Sequence, residues 1–281
     1  MELRIILTKV RILRHTAKVT LKHMDQLLVS AATRAARYLH DIQTRRAAPS
    51  SSAVAALSKL HEPMPASPTD PEVVLALLDE VGSPATTAMA GPRFFGFVMG
   101  GVVPAALAAN WLAAAWDQNP GLNIASPIAA ELEEISLAWL LDILRLPPTC
   151  AGGFVTGATV ANFTALAAAR SAILRRAGWD VEARGLFGAP EITVITGAES
   201  HPSVSKALGM LGLGRDRVTR LPVDDQGRVI ADSLPPIHGP AIVCIQAGNV
   251  NSGAFDPAPR LIEWAHAADA WVHVDGAFGL W

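Results

Sequence analysis

The sequence is short of cysteine. Its two cysteines, Cys150 and Cys244, lie far apart and neither belongs to a CxxC pair. Metal clusters and disulfide frameworks draw on closely spaced or numerous thiols, so this usage argues against both. Each cysteine sits beside an apolar segment, which predicts buried, unpaired thiols and a reducing, cytoplasmic setting. A basic excess is also lacking. The formal net charge is −2 over 281 residues, which offers nucleic acid no electrostatic footprint. No apolar core of signal-peptide type follows the first residues, and no small-residue cleavage site. Charged residues make up 17% of the chain against 51% hydrophobic, a balance that buries a sizeable core and speaks against disorder.

The basic residues that do occur are concentrated at the start. Arg4, Lys9, Arg11, Arg14, Lys18 and Lys22 face a single acid, Glu2. Residues 1–23 are read as a basic arm, disordered or upstream of a true start at Met24. Phe94 to Trp116 carries no charge and has the length of a membrane span. It also holds Gly96, Gly100, Gly101, Pro104 and Asn110. We read it as a glycine-rich loop leading into a buried helix, outside any membrane.

Leu27, Leu28, Ala31, Ala35, Leu39 and Ile42 recur at helical spacing, which predicts an amphipathic helix over 24–46. The proline- and serine-rich stretch 47–71 reads as a linker or a wrapping segment. Thr69 or Asp70 caps a helix running to about Val81, and another helix over 127–145 ends before Pro147 and Pro148. The pattern then changes. Short β-rich runs at 192–196, 218–221, 241–245 and 271–275 alternate with helical stretches at 159–177, 202–213 and 258–269. That alternation predicts an α/β domain with a mostly parallel sheet flanked by helices.

Polar features cluster where these strands should end. The run Gly152 to Thr159 opens a helix bearing Asn162, and small residues at a helix start let backbone N–H groups reach an anion. Ser200-His201-Pro202-Ser203, Gln246-Ala247-Gly248-Asn249 and His273-Val274-Asp275-Gly276-Ala277 follow the predicted strands. Each alone also suits a helix cap or a tight turn. Together they describe one crevice at the carboxyl edge of a sheet, where open α/β folds bind ligands.

Several of these stretches carry a family likeness. They are Pro92 to Phe97, Glu131-Leu132-Glu133 with Trp139-Leu140, Thr156 to Asn162, His201 to Ala207, Ala247 to Asn249 with Asp256-Pro257, and His273 to Phe278. In this order and spacing, residues 24–281 resemble the group II pyridoxal-phosphate-dependent amino-acid decarboxylases, which include those acting on aromatic amino acids, glutamate and histidine. The resemblance implies a fold-type I large domain over 91–281, incomplete at its C-terminus, behind an N-terminal helical wrapping segment over 24–90. A C-terminal small domain is then absent. It implies pyridoxal 5′-phosphate as cofactor, an L-amino acid as substrate, no metal, and a cytoplasmic homodimer. Carried over residue by residue, Ala158 and Thr159 hold the phosphate and His201 stacks on the pyridine ring. Asp275 pairs with the ring nitrogen, Ala277 lies under the ring, and Asn249 stands near the cofactor.

The chain departs from the family pattern in three ways. Val160 stands where an acid is usual, and Gly91 where a histidine is frequent. The family also binds its cofactor covalently through a lysine downstream of the His-Val-Asp segment. The lysines here are Lys9, Lys18, Lys22, Lys59 and Lys206, and none follows Asp275. Lys206 is read as a surface residue. The expectation is a decarboxylase cut before its lysine and inactive alone. Another enzyme of the same cofactor fold, an aminotransferase or lyase, and a non-catalytic fragment remain the alternatives.

Overall fold

The computed structural model describes residues 21–97, 99 and 101–281, so the predicted basic arm over 1–23 lies outside it except for its last three residues. The chain divides into two compact units, one through Ala115 and one from Trp116 to Trp281.

In the first unit, helix α1 (Leu21–Asp41) forms on the predicted amphipathic repeat and stops short of 46. The chain turns there and buries Ile42. The proline- and serine-rich stretch is not wholly extended. Ser50 caps α2 (Ser51–Ala56) by accepting the Ala53 N–H at 3.1 Å, and a 3-10 turn follows over Leu57–Leu60. The serine hydroxyl satisfies an amide that a helix start otherwise leaves orphaned. Asp70 does the same for α3 (Pro71–Leu77), accepting the Glu72 N–H at 2.8 Å. The helix then widens into a π turn over Leu78–Gly82 and closes as α4 (Ser83–Ala85). Arg34 on α1 donates to Asp79 at 2.8 Å and to Glu72 at 3.0 Å, clipping α1 to this helical run. The Arg34 hydrogen bond is the main reason the Asp79 carboxyl sits below its usual range.

Gly91 has a packing reason. A Cβ there would stand 3.1 Å from the carbonyl oxygens of both Ala88 and Ile42, a tight approach that a histidine could take only if this turn gave by a few tenths of an ångström. Helix α5 (Pro104–Trp116) starts at its proline as predicted. It is not the buried helix that its lack of charge suggested. None of its residues is buried, and Trp111, Leu112 and Trp116 are about half exposed. Apolar composition permits burial, but covering elements must supply it, and the described residues supply none for this face. No described helix is long and apolar enough to cross a membrane.

The second unit carries the predicted layers. Helices α6 (Pro127–Ile143), α7 (Ala158–Arg176) and α8 (Val181–Arg184) precede strand β1 (Thr193–Gly197). Then come α9 (Pro202–Met210), β2 (Thr219–Leu221), β3 (Ala241–Gln246), α10 (Ala258–Ala267) and β4 (Trp271–Asp275). The sheet is wholly parallel, in the order β2-β1-β3-β4. All six residues of β3 are buried, because helices cover both faces of the sheet.

Alternate side chains point to opposite faces. Val194, Ile242 and Cys244 pack with Leu166, Ala169 and Ile173 of α7 and with Val204 and Leu208 of α9. Ile195, Val243 and Ile245 pack on the other face with Leu261 and Ala265 of α10. Cys244 is thus a core thiol, and burial pushes its pKa up to about 12. Cys150, expected to be buried as well, is exposed, since it follows the Pro147-Pro148 stop in a turn rather than entering an element.

Leu208 is fully buried between α7 and the sheet. Leu208→Ala is expected to destabilise the chain by about 2–5 kcal/mol, read as a lower urea midpoint at unchanged slope.

Candidate active site at the carboxyl edge of the sheet

Because β1, β3 and β4 are parallel, their carboxyl ends open onto one edge. Gln246 of β3 lies beside Asp275 of β4 in the register. The Ser200-His201 segment leaves β1 at the same edge, and the His201 backbone N–H donates to Gln246 Oε1 at 3.1 Å. The predicted crevice is therefore a real convergence.

Its floor is a buried polar network. Asp275 is 9% exposed and Asn162 4%. The Asn162 amide nitrogen donates to Asp275 Oδ2 at 3.1 Å and to Ser203 Oγ at 3.0 Å. The oxygen of that amide faces His273 Nε2 at 2.8 Å. Asp275 Oδ1 accepts the Ala277 N–H at 3.2 Å. Unpaired, such a buried carboxylate would cost several kcal/mol, roughly, so these donors are what allow it to stay. His273 lies under the same floor. Burial holds its imidazole below the ordinary range, against the opposing pull of Asp275.

His201 is the N-cap of α9. Its Nδ1 accepts the Ser203 N–H at 3.2 Å and lies 2.7 Å from Ser203 Oγ. Its ring meets Phe278 edge-on, with centroids 6.0 Å apart at 63°. Ala158 and Thr159 form the first turn of α7, after Gly157 at φ 146°. Both the Val160 and Ala161 amides turn back to the Gly157 carbonyl at 3.0 Å. The amides of Ala158 and Thr159 precede any helical partner and are free to meet an anion. Asn162, one turn on, ties this helix start to Asp275.

The remaining candidates are differently placed. Asn249 is buried, and its Oδ1 accepts the Asn251 and Ser252 amides at 2.8 and 3.3 Å, closing its own loop. Ala277 is exposed just past Asp275. Val160 faces outward, and Lys206 is exposed on α9.

Asn162, Ser203, His273 and Asp256 stand inside the sequence motifs, but local pattern assigns them no role. Asp256 accepts the Val229 N–H at 2.9 Å and the Gln246 N–H at 2.7 Å, pinning the end of β3. Burial raises its pKa while those amides pull it down. One signal was available: Asn162 is a poor helix former inside an alanine- and leucine-rich helix, which suggests a buried polar task.

Comparison with known proteins agrees with the geometry. The pyridoxal-dependent decarboxylase conserved domain matches residues 57–280. Over 230 residues the chain is 30% identical to the aromatic-L-amino-acid decarboxylase of Bacillus atrophaeus, covering 79% of this chain and 46% of that protein. It is 32% identical over 223 residues to the L-2,4-diaminobutyrate decarboxylase of Rhizobium meliloti, covering 74% and 43%. The chain thus spans about half the length of these relatives. Among solved structures, the glutamate decarboxylase domain of a diaminobutyrate-pyruvate transaminase and L-2,4-diaminobutyrate decarboxylase from Vibrio parahaemolyticus superposes with a TM-score of 0.81. Its identity is 20%, over 94% of this chain and 60% of that one. Oryza sativa TDC, solved with PLP and tryptamine, gives a TM-score of 0.78 at 24% identity over 92% and 55%. Both show the fold.

The buried His273 generates a pH test. Its folded pKa lies below the ordinary 6.5. The stability tied to its neutral form is therefore present above about pH 6.5 and lost as pH falls through the lower folded value. His273→Gln keeps a donor for Asn162 but cannot titrate. We expect its urea midpoint to fall less steeply on the acid side than that of the parent chain; identical slopes would refute the assignment.

Proposed function

We propose decarboxylation of an L-amino acid as the chemistry of this chain, which belongs to the pyridoxal-dependent decarboxylase family. The observation that carries the reading is Asp275: a buried carboxylate at the end of β4, held by Asn162 and Ala277. A carboxylate has about four acceptor positions, and these two bonds leave the others for a ligand. A cationic ring nitrogen is the partner such a group favours. The free amides at the start of α7 suit a phosphate. The residues present therefore fit pyridoxal phosphate.

When bound, pyridoxal phosphate supplies an electron sink for the pair left on the α-carbon as the substrate carboxylate departs as carbon dioxide. The chain's own residues do the rest. Asp275 keeps the ring nitrogen protonated by ion pairing. Asn162 and the Ala277 amide hold that carboxylate in place. Ala158 and Thr159 receive the phosphate, His201 sets the ring plane from its capped position, and Ala277 leaves room beneath the ring. Holding the ring plane positions the bond to be broken. The Asn249 backbone closes its own loop, donating to the Ala254 carbonyl and accepting the Gly253 N–H, so its Nδ2 group is what is left to act toward the cofactor. The names of the relatives divide between aromatic and diamino substrates, so the reading stops at an L-amino acid.

No lysine follows Asp275 in the sequence, and Lys206 is exposed. We assign this chain alone noncovalent cofactor binding without turnover. The working form is read as a cytoplasmic homodimer, with α1 and the 47–71 stretch wrapping the partner; the amphipathic pattern of α1 supports that reading.

Titration of the chain with pyridoxal phosphate, followed by absorbance, should show binding. Asp275→Ala should weaken it roughly tenfold to a hundredfold, the loss of one charge-assisted bond. Borohydride reduction should leave no adduct, and an adduct on Lys206 would overturn this reading of that residue. In a protein joining this sequence to a lysine after Asp275, Asp275→Ala should abolish carbon dioxide release from L-amino acids. Near-normal release would sink the electron-sink assignment.

A further inference from the structure

We propose that Asn162 and Ser203 form a directional relay that fixes the tautomer of His201, leaving its Nδ1 bare and its proton on Nε2. Both are positioning residues: they act on His201 rather than on a ligand. The inference stands on the side-chain geometry of the crevice and not on the cofactor assigned to it.

Each donor in the network has one acceptor available to it. Asp275 offers only acceptors, so the amide nitrogen of Asn162 must be the end that faces it. That nitrogen has two protons. One goes to Asp275 at 3.1 Å and the other to Ser203 Oγ at 3.0 Å. The Asn162 oxygen is then turned to His273, whose Nε2 must be the donor at 2.8 Å. The low pKa of the buried His273 agrees, since a neutral ring has only one proton to place.

Ser203 Oγ, having accepted from Asn162, keeps one proton to give. The nearest acceptor is His201 Nδ1 at 2.7 Å. The Ser203 backbone N–H converges on the same nitrogen at 3.2 Å. Two donors aimed at Nδ1 exclude a proton there. The reverse arrangement would set the backbone N–H against a ring N–H and strand the serine proton, with the desolvation penalty that an unmade buried bond carries. The anchored end is Asp275, so the direction of the whole chain is set by one carboxylate.

The test is the tautomer itself. In the ¹⁵N-labelled chain, two-bond proton–nitrogen correlations should show His201 with a protonated Nε2 and an unprotonated Nδ1; its signal is assigned by its loss in His201→Gln. Ser203→Ala removes the hydroxyl donor but keeps the backbone cap. Asn162→Asp keeps the shape and turns Ser203 into a donor toward position 162. Either change should move the His201 nitrogen shifts toward a mixture of tautomers, while a purely structural role would leave them in place. A parent chain with the proton on Nδ1 overturns the proposal outright, even if a variant fails to fold. Folded variants that keep the parent's single-tautomer signature overturn it too.

Discussion

A buried carboxylate at the end of a parallel strand must find donors, and most of the crevice follows from how Asp275 finds them. One comes from its own turn, the Ala277 amide. The other comes from Asn162, on a helix 113 positions earlier in the chain. That second bond draws the start of α7 to the end of β4. The same amide reaches Ser203 and, through it, the cap of α9. Three elements are registered on one acid group. Desolvating a carboxylate is costly enough that the arrangement is held as a unit.

The sheet supplies the platform. With helices on both faces, the strands alternate their side chains between two cores, and β3 is buried throughout. Parallel strands also present all their carboxyl ends on one side, so polar residues that leave those ends converge without further design. Asp256 adds to this by accepting the Gln246 amide, which pins the end of β3 where Gln246 receives His201. The structural acid, in the loop after β3, and the functional acid, at the end of β4, thus have different tasks.

The strands and the longer helices of the second unit were legible in the sequence because each core position repeats a short-range pattern; the one-turn α8 was not. Periods of two and of about 3.6 need only the local chain. Caps were legible for the same reason: Asp70 before Pro71 is a local signal, and it caps α3. The helix inside the 47–71 stretch was missed because proline and serine density masked one good cap at Ser50. The burial of α5 was misjudged because composition says what a surface tolerates and only neighbours say whether it is covered. Cys150 failed likewise, an apolar flank being no guarantee of an interior.

By itself the sequence determined the α/β alternation, the polar residues placed after the strands, and the family to which the motifs belong. These rest on local periodicity and on motif order, both of which survive without coordinates. Only the tertiary structure decided which of those polar groups touch. Asn162 meeting Asp275 and His273 spans more than a hundred positions in each case, and no local spacing encodes a side-chain hydrogen bond across that distance. It likewise decided that Asn249 spends its oxygen on its own loop, and that the Ala88 and Ile42 carbonyls crowd Gly91. The physical reason is the same throughout. Hydrogen-bond partners are chosen by direction and distance in space, which the packing of helices on the sheet sets.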